Sequence, residues 1–155
     1  MSPDAALAVR EAARQLLHET HAAMREAVGG LDAEALDWRP AAETNSLAAL
    51  VAHALEAERF LVASAADVAV ERDRDAQFRV QVSGPDVLLA LIDRRETEID
   101  GYLDLVGAQQ LGREVVRPGR SRSGAWWLLH AVDHGREHLG QAMLTRQLWE
   151  ARERR

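Results

Sequence analysis

Residues 124–142 run Gly124-Ala125-Trp126-Trp127-Leu128-Leu129-His130-Ala131-Val132-Asp133-His134-Gly135-Arg136-Glu137-His138-Leu139-Gly140-Gln141-Ala142. Trp127, Leu128, Ala131, Val132, Leu139 and Ala142, with Trp149 beyond, recur at the spacing of one face of an α-helix. Ser123 offers a capping hydroxyl at the start, so the helix is expected from about Gly124 to Glu150, ending among basic residues that suit its dipole. Upstream, the polar, Arg-rich stretch Leu111 to Arg122 reads as a connector.

The same logic extends toward the amino terminus. Ser83-Gly84-Pro85-Asp86 opens a helix carrying Leu88, Leu91, Ile92, Ile99, Leu103 and Val106, with an end expected near Gly107. The charged stretch Val70 to Val82 reads as a loop or a short irregular segment. Before it, Leu47, Leu50, Ala54, Ala57 and Leu61 form an apolar stripe on a helix capped by Asn45 or Ser46 and running to about Ala66. Leu31 to Thr44, with Asp37-Trp38-Arg39-Pro40, reads as a connector with one helical turn at its start. Ser2-Pro3-Asp4 and Gly29-Gly30 bracket a first helix over about residues 4–28. Four such helices predict an all-α fold, a four-helix bundle, in one domain over residues 1–155. Connectors of about 14 to 16 residues exceed what a helical hairpin needs, which permits crossover topology or walls for a pocket.

Composition narrows the function classes. Nineteen Lys and Arg against 25 Asp and Glu give a net charge of -6, which argues against a nucleic-acid partner. No signal peptide and no apolar run near the roughly 20 residues of a spanning helix are recognisable, so no membrane role and a cytoplasmic location are expected. The chain has no cysteine, so it offers neither a thiolate ligand nor a cysteine nucleophile, and thiol chemistry would need an external thiol.

Helical phase sorts the six histidines. On the first helix the apolar side is Val9, Ala13, Leu16, Leu17, Met24 and Val28; His18 points away from it, and His21 lies near the boundary, where an amphipathic surface histidine is expected. On the last helix His130, His134 and His138 form a stripe along one shoulder of the core face. Neighbours in that stripe stand about 6 Å apart along the axis and about 40° apart around it, so two can grip one ion. His138 lies nearest the core direction and His130 farthest, which favours the pair His134/His138 over His130/His134. His53 sits at the edge of the Leu50, Ala54, Ala57 stripe, where small residues leave room for a third imidazole. Three imidazoles suit zinc, nickel or iron and leave coordination positions open, as in catalytic sites. Spacing alone also admits a hydrogen-bonded core histidine beside a chance stripe.

Two segments carry a resemblance to a known family. One is Leu36-Asp37-Trp38-Arg39-Pro40 followed by Asn45-Ser46-Leu47 and His53; the other is His130-Ala131-Val132-Asp133-His134-Gly135-Arg136-Glu137-His138-Leu139-Gly140-Gln141. In this order, over nearly the whole chain, they resemble the DinB-like superfamily, also called the YfiT-like metal-dependent hydrolases. The resemblance implies a four-helix bundle with crossover connections, often a homodimer, and a divalent metal, with zinc or nickel first and iron or manganese as alternatives. By position the implied ligands are His53, His134 and His138. Members with known activity include S-transferases that use bacillithiol, mycothiol or glutathione, and mycothiol-dependent maleylpyruvate isomerases. The implied function is therefore a thiol-dependent S-transferase acting on a small-molecule substrate with a low-molecular-weight thiol; a hydrolase that activates water and a non-catalytic metal-binding or dimerisation bundle are the alternatives. Where the family often has a paired histidine and an arginine before Gly-Gln, this chain has Glu137-His138-Leu139-Gly140-Gln141, a departure on the substrate side that leaves the triad intact.

Residues of the connectors also carry two readings. Arg113, Arg117, Arg120 and Arg122 offer either a seat for a thiol's carboxylate or an ordinary solvated loop. Trp127 suits core packing, Trp126 a cap on the bundle or a dimer contact, and Glu56 has poor phase for orienting His53.

Overall fold

Side chains that accept from backbone N–H groups set the starts of most helices. Ser2 Oγ accepts from Ala5, Asp32 from Ala35, Ser46 Oγ from Ala49, Asp73 from Ala76 and Ser123 Oγ from Trp126. The computed structural model describes residues 1–154 and contains α1 (Pro3–Val28), α2 (Ala33–Asp37), α3 (Leu47–Ala65), α4 (Arg74–Gln77), α5 (Pro85–Leu103), α6 (Ala108–Gly112), β1 (Glu114–Arg117), β2 (Arg120–Ser123) and α7 (Gly124–Glu153). The fold is all-α apart from the small antiparallel β1-β2 hairpin.

The long helices α1, α3, α5 and α7 form the bundle. Both α1 and α3 pack against α5 and α7, whereas α1 and α3 barely touch, so they occupy opposite corners. The connections from α1 to α3 and from α5 to α7 therefore cross the bundle, as long connectors allow. The most extensive contact is between α3 and α7, and that contact positions the site described below.

Leu47, Leu50, Ala54, Ala57 and Leu61 are all buried, as their stripe predicts. Each fully buried Leu contributes roughly 2 kcal/mol relative to an exposed one. One part of the core gathers Leu17, Leu61, Ile99, Leu103, Trp127 and Leu128; the other gathers Met24, Leu36, Leu47, Leu55, Leu88, Ile92 and Leu139. No helix among the described residues is long and apolar enough to cross a membrane.

Four expectations need correction. The helix opened by Pro85 ends at Leu103, and Gly107 instead begins the separate α6. The connector Leu111 to Arg122 is largely ordered as the end of α6 and the hairpin, pinned by buried Val115, whose carbonyl accepts from Trp127 Nε1 at 3.3 Å. Pro118-Gly119 makes its turn, with Gly119 at φ 75, where an L side chain would be strained. Leu16 is exposed, because α1 turns its Ala13, Leu17 and Met24 face inward. His21 is fully buried; it lies four residues after Leu17 and three before Met24, on the core face.

Candidate metal centre

His53 projects from α3 toward α7, and His134 and His138 project from α7 one turn apart. Their ring centroids stand 5.3 Å (His53–His134), 4.7 Å (His53–His138) and 4.4 Å (His134–His138) apart. One nitrogen from each ring lies within 4.8 Å of the others, a spacing at which three imidazoles can hold a single ion. The structure thus brings together the three residues singled out from the sequence. His130 stays outside the group, tilted against Trp126 with ring centroids 4.5 Å apart, and His18 lies elsewhere, with Nε2 3.0 Å from Asp100.

Hydrogen bonds select the free nitrogen on two of the rings. His53 Nδ1 lies 3.1 Å from Gln77 Oε1, and Arg72 Nε and Nη2 reach the same atom at 3.3 and 3.1 Å. Arg72 can only donate, so that atom accepts; Arg72 Nη2 also lies 3.5 Å from His53 Nδ1, but the shorter Gln77 contact favours a proton on Nδ1, which leaves the lone pair on Nε2. His138 Nδ1 donates to Gln141 Oε1 at 3.0 Å, while Gln141 Nε2 faces the carboxylate of Glu137 at 3.5 Å. Partners on the far nitrogen fix the tautomer and aim of a ligating imidazole. His134 Nδ1 is buried with no hydrogen-bond partner among the described residues, an arrangement that suits a ligand better than a core histidine.

Electrostatics favour the neutral rings that metals need. Burial, followed by the neighbouring His138, Arg72 and His134, holds His53 down to about 3. Burial, with His138 and His130, holds His134 down to about 4. Both are unprotonated at neutral pH, so a cation would displace no proton from them.

Two members of the triad, His53 and His134, line a cleft of about 340 Å³ together with His130, Trp127, Phe60 and Leu61 and with Arg72, Arg74, Arg117 and Arg120. Arg117 and Arg120 were candidates from the sequence. Arg113 instead pairs with Asp67 at 2.7 Å, and Arg122 lies over the Trp126 ring at 5.6 Å. Glu56, whose helical phase is poor for orienting His53, pairs with Arg59 and Arg95.

Sequence reasoning missed a buried charged group behind the triad. His21 Nε2 lies 2.6 Å from Glu58 Oε2, and His21 Nδ1 lies 3.0 Å from Glu96 Oε2, which Arg25 also binds. Burial pulls His21 down, but Glu58 and Glu96 outweigh it and raise its pKa; burial pushes Glu58 up. Glu58 Oε1 has no hydrogen-bond partner among the described residues and lies against Gly135, where any Cβ would overlap it. A signal existed: Glu58 lies four residues after Ala54 and three before Leu61, inside the apolar stripe. Gln77, Arg72 and Arg74 had none, because they lie in a connector without periodicity.

The sequence profile of the DinB superfamily matches residues 16–142, most of the chain. The chain belongs to the DinB superfamily. Among curated proteins, none matches it. This DinB chain also resembles solved structures. A conserved protein from Enterococcus faecalis is 16% identical, with a TM-score of 0.76 over 91% of this chain and 96% of that one. A DinB-like protein from Bacillus cereus is 15% identical, with a TM-score of 0.72 over 88% and 90% of the two chains. A DinB-like protein from Bacillus subtilis is 16% identical, with a TM-score of 0.66 over 86% and 90%. At such identities these DinB likenesses establish the shared bundle; the chemistry has to be argued from the site.

Proposed function

We propose that this protein is a divalent-metal-dependent enzyme in which His53, His134 and His138 hold the ion and a low-molecular-weight thiol is transferred to an electrophilic small molecule. The observation that carries the metal site is the convergence of three imidazole nitrogens within 4.8 Å at the edge of an open cleft. Held by His53, His134 and His138, a divalent ion would lower the pKa of a thiol or water bound to it. Zinc or nickel best matches an all-imidazole donor set, with iron or manganese as further candidates. The thiol reading rests on the family resemblance and on a chain with no cysteine of its own, so the sulfur comes from outside.

The chain's own residues bind and orient. Gln77 and Gln141 hold two of the rings with Nε2 free, and Trp127, Phe60 and Leu61 supply the apolar side of the cleft. A homodimer is proposed with this reading, on the family resemblance alone, and sedimentation equilibrium of the full chain tests it.

The decisive experiment is metal content by mass spectrometry on untagged protein, wild type beside His53→Ala and His138→Ala, with circular dichroism as the folding control. About one ion per chain, lost in both folded variants, is the expected result. A wild type that takes up no zinc, nickel, iron or manganese would end the metalloenzyme reading. Given a metal, consumption of free thiol beside an electrophile supports transfer, whereas ester or amide cleavage without thiol loss replaces it with hydrolysis.

A further inference from the structure

The cleft beside the triad collects positive charge in a protein that is negative overall. Arg72, Arg74, Arg117 and Arg120 line it, no Asp or Glu does, and the chain's net charge is -6. Other arginines of the bundle are neutralised by carboxylates: Arg14 by Asp100, Arg25 by Glu96 and Arg95 by Glu56, for example. Among the described residues, Arg72, Arg74 and Arg120 have no carboxylate oxygen within 4.0 Å, and Arg117 has only Asp67 at 3.7 Å.

The way these guanidiniums are held leaves them able to bind. Arg120 lies over the Trp126 ring at 5.0 Å, Arg74 over Phe78 at 6.0 Å and Arg72 over Phe60 at 6.0 Å. Contact with a ring occupies the flat face of a guanidinium and leaves its in-plane N–H donors at the edge, the fork that matches an oxyanion, for Arg74 and Arg120; Arg72 spends its Nε edge on Gln77 and keeps its Nη1 donors for a ligand. Arg117 is fixed by Ser64 Oγ at 3.2 Å and by the carbonyls of Val68 at 3.1 Å and Val116 at 3.0 Å, which leaves one N–H on each terminal nitrogen for a ligand. Cations clustered without counter-charge around a small cavity repel one another, and an anionic ligand relieves that repulsion.

We propose that this cleft is an oxyanion site in which Arg72, Arg74, Arg117 and Arg120 bind a carboxylate or phosphate group of the ligand that reaches the triad. It deepens the metalloenzyme reading by naming the substrate class: a small, anionic molecule rather than a neutral one. Arg72 is the member closest to the triad, since it shares Gln77 Oε1 with His53, and Arg120 arrives from the hairpin beside His130. The site thus draws on both long connectors.

The test is calorimetric titration of inorganic phosphate and of succinate into folded full-length protein, chelated and zinc-loaded, at low and moderate salt. Wild type is compared with the double variant Arg74→Gln/Arg120→Gln, whose residues touch no triad ring, and with Arg122→Gln outside the cleft. Wild type should bind at least one of the two anions even when chelated, more weakly as salt rises. The double variant should lose roughly 10- to 100-fold in affinity, about 1.4–2.8 kcal/mol in all. Arg122→Gln should match wild type, and zinc stoichiometry should be equal in all three. Binding of phosphate alone or of succinate alone supports the site and identifies the oxyanion. Failure of both anions to bind chelated wild type, or equal affinity in the double variant, overturns it. Because the chelated arm needs no ion, its result is independent of whether the metal site stands.

Discussion

The side-chain oxygen of Gln77 lies 3.1 Å from Nδ1 of His53 and accepts from Arg72 at the same time. Asp73 caps the short α4 that delivers Gln77, so a connector with no apolar periodicity sets the tautomer of a core imidazole. Gln77→Ala should leave the helical spectrum intact and weaken metal binding about 10- to 100-fold, the usual cost of removing a partner behind a ligand. Competition with a chromophoric chelator measures this, and unchanged affinity would show that Gln77 does not orient His53.

Acid should destabilise the metal-free protein early. His53 is held at about 3 and His134 at about 4, against an ordinary value of 6.5. Between those limits the unfolded chain binds protons that the native state refuses, so stability is intact above pH 6.5 and falls as pH drops toward 4 for His134 and 3 for His53. Urea midpoints from about pH 7.5 to about pH 5 should fall less steeply in chelated His53→Gln than in chelated wild type. Parallel slopes would contradict the burial of a neutral His53.

Glu58 and His21 should behave as one unit. Each is fully buried and they meet at 2.6 Å. Glu58→Ala or His21→Ala alone leaves a buried polar group without its partner and should cost about 3–5 kcal/mol. The double variant should cost less than the sum, by about 0.5–3 kcal/mol, in chemical denaturation. Strict additivity would mean that the pair is not coupled.

Two glycines of α7 should respond to alanine with opposite signs. At Gly135 a Cβ would overlap Glu58 Oε1, a side chain packed on all sides, so Gly135→Ala should cost about 1–3 kcal/mol. At Gly140 nothing lies within 4 Å and the position is exposed, so Gly140→Ala should add about 0.5–1 kcal/mol of stability. Thermal melts of the two variants bracket the wild type if the close approach at Gly135 is real.

Turning the hairpin stiffer or looser should act on anions and not on the ion. Gly119 sits at φ 75, so Gly119→Val strains the turn that carries Arg117 and Arg120, at about 1–2 kcal/mol. Phosphate affinity should drop in this variant while zinc stoichiometry holds; loss of zinc instead would tie the hairpin to the triad.

What the sequence determined by itself is what repeats with a local period. The apolar stripes of Leu47 to Leu61 and Trp127 to Ala142, with hydroxyl caps at Ser2, Ser46 and Ser123, specify the long helices because each turn repeats the same demand for burial. The same phase put His53, His134 and His138 beside a core, and the structure brings their rings together. Tertiary packing decided the rest. His21 reads as a boundary residue until Glu58, from another helix, gives its charge a partner in the interior. Leu111 to Arg122 reads as a polar connector, although Val115-Val116 before Pro118-Gly119 carries the mark of a hairpin. Arg72, Arg74 and Gln77 have no period at all, and they acquire a role only because the crossing connectors fold against the α3–α7 contact. Secondary structure follows from interactions a few residues apart, whereas a cleft is made of residues whose separation along the chain carries no information about their separation in space.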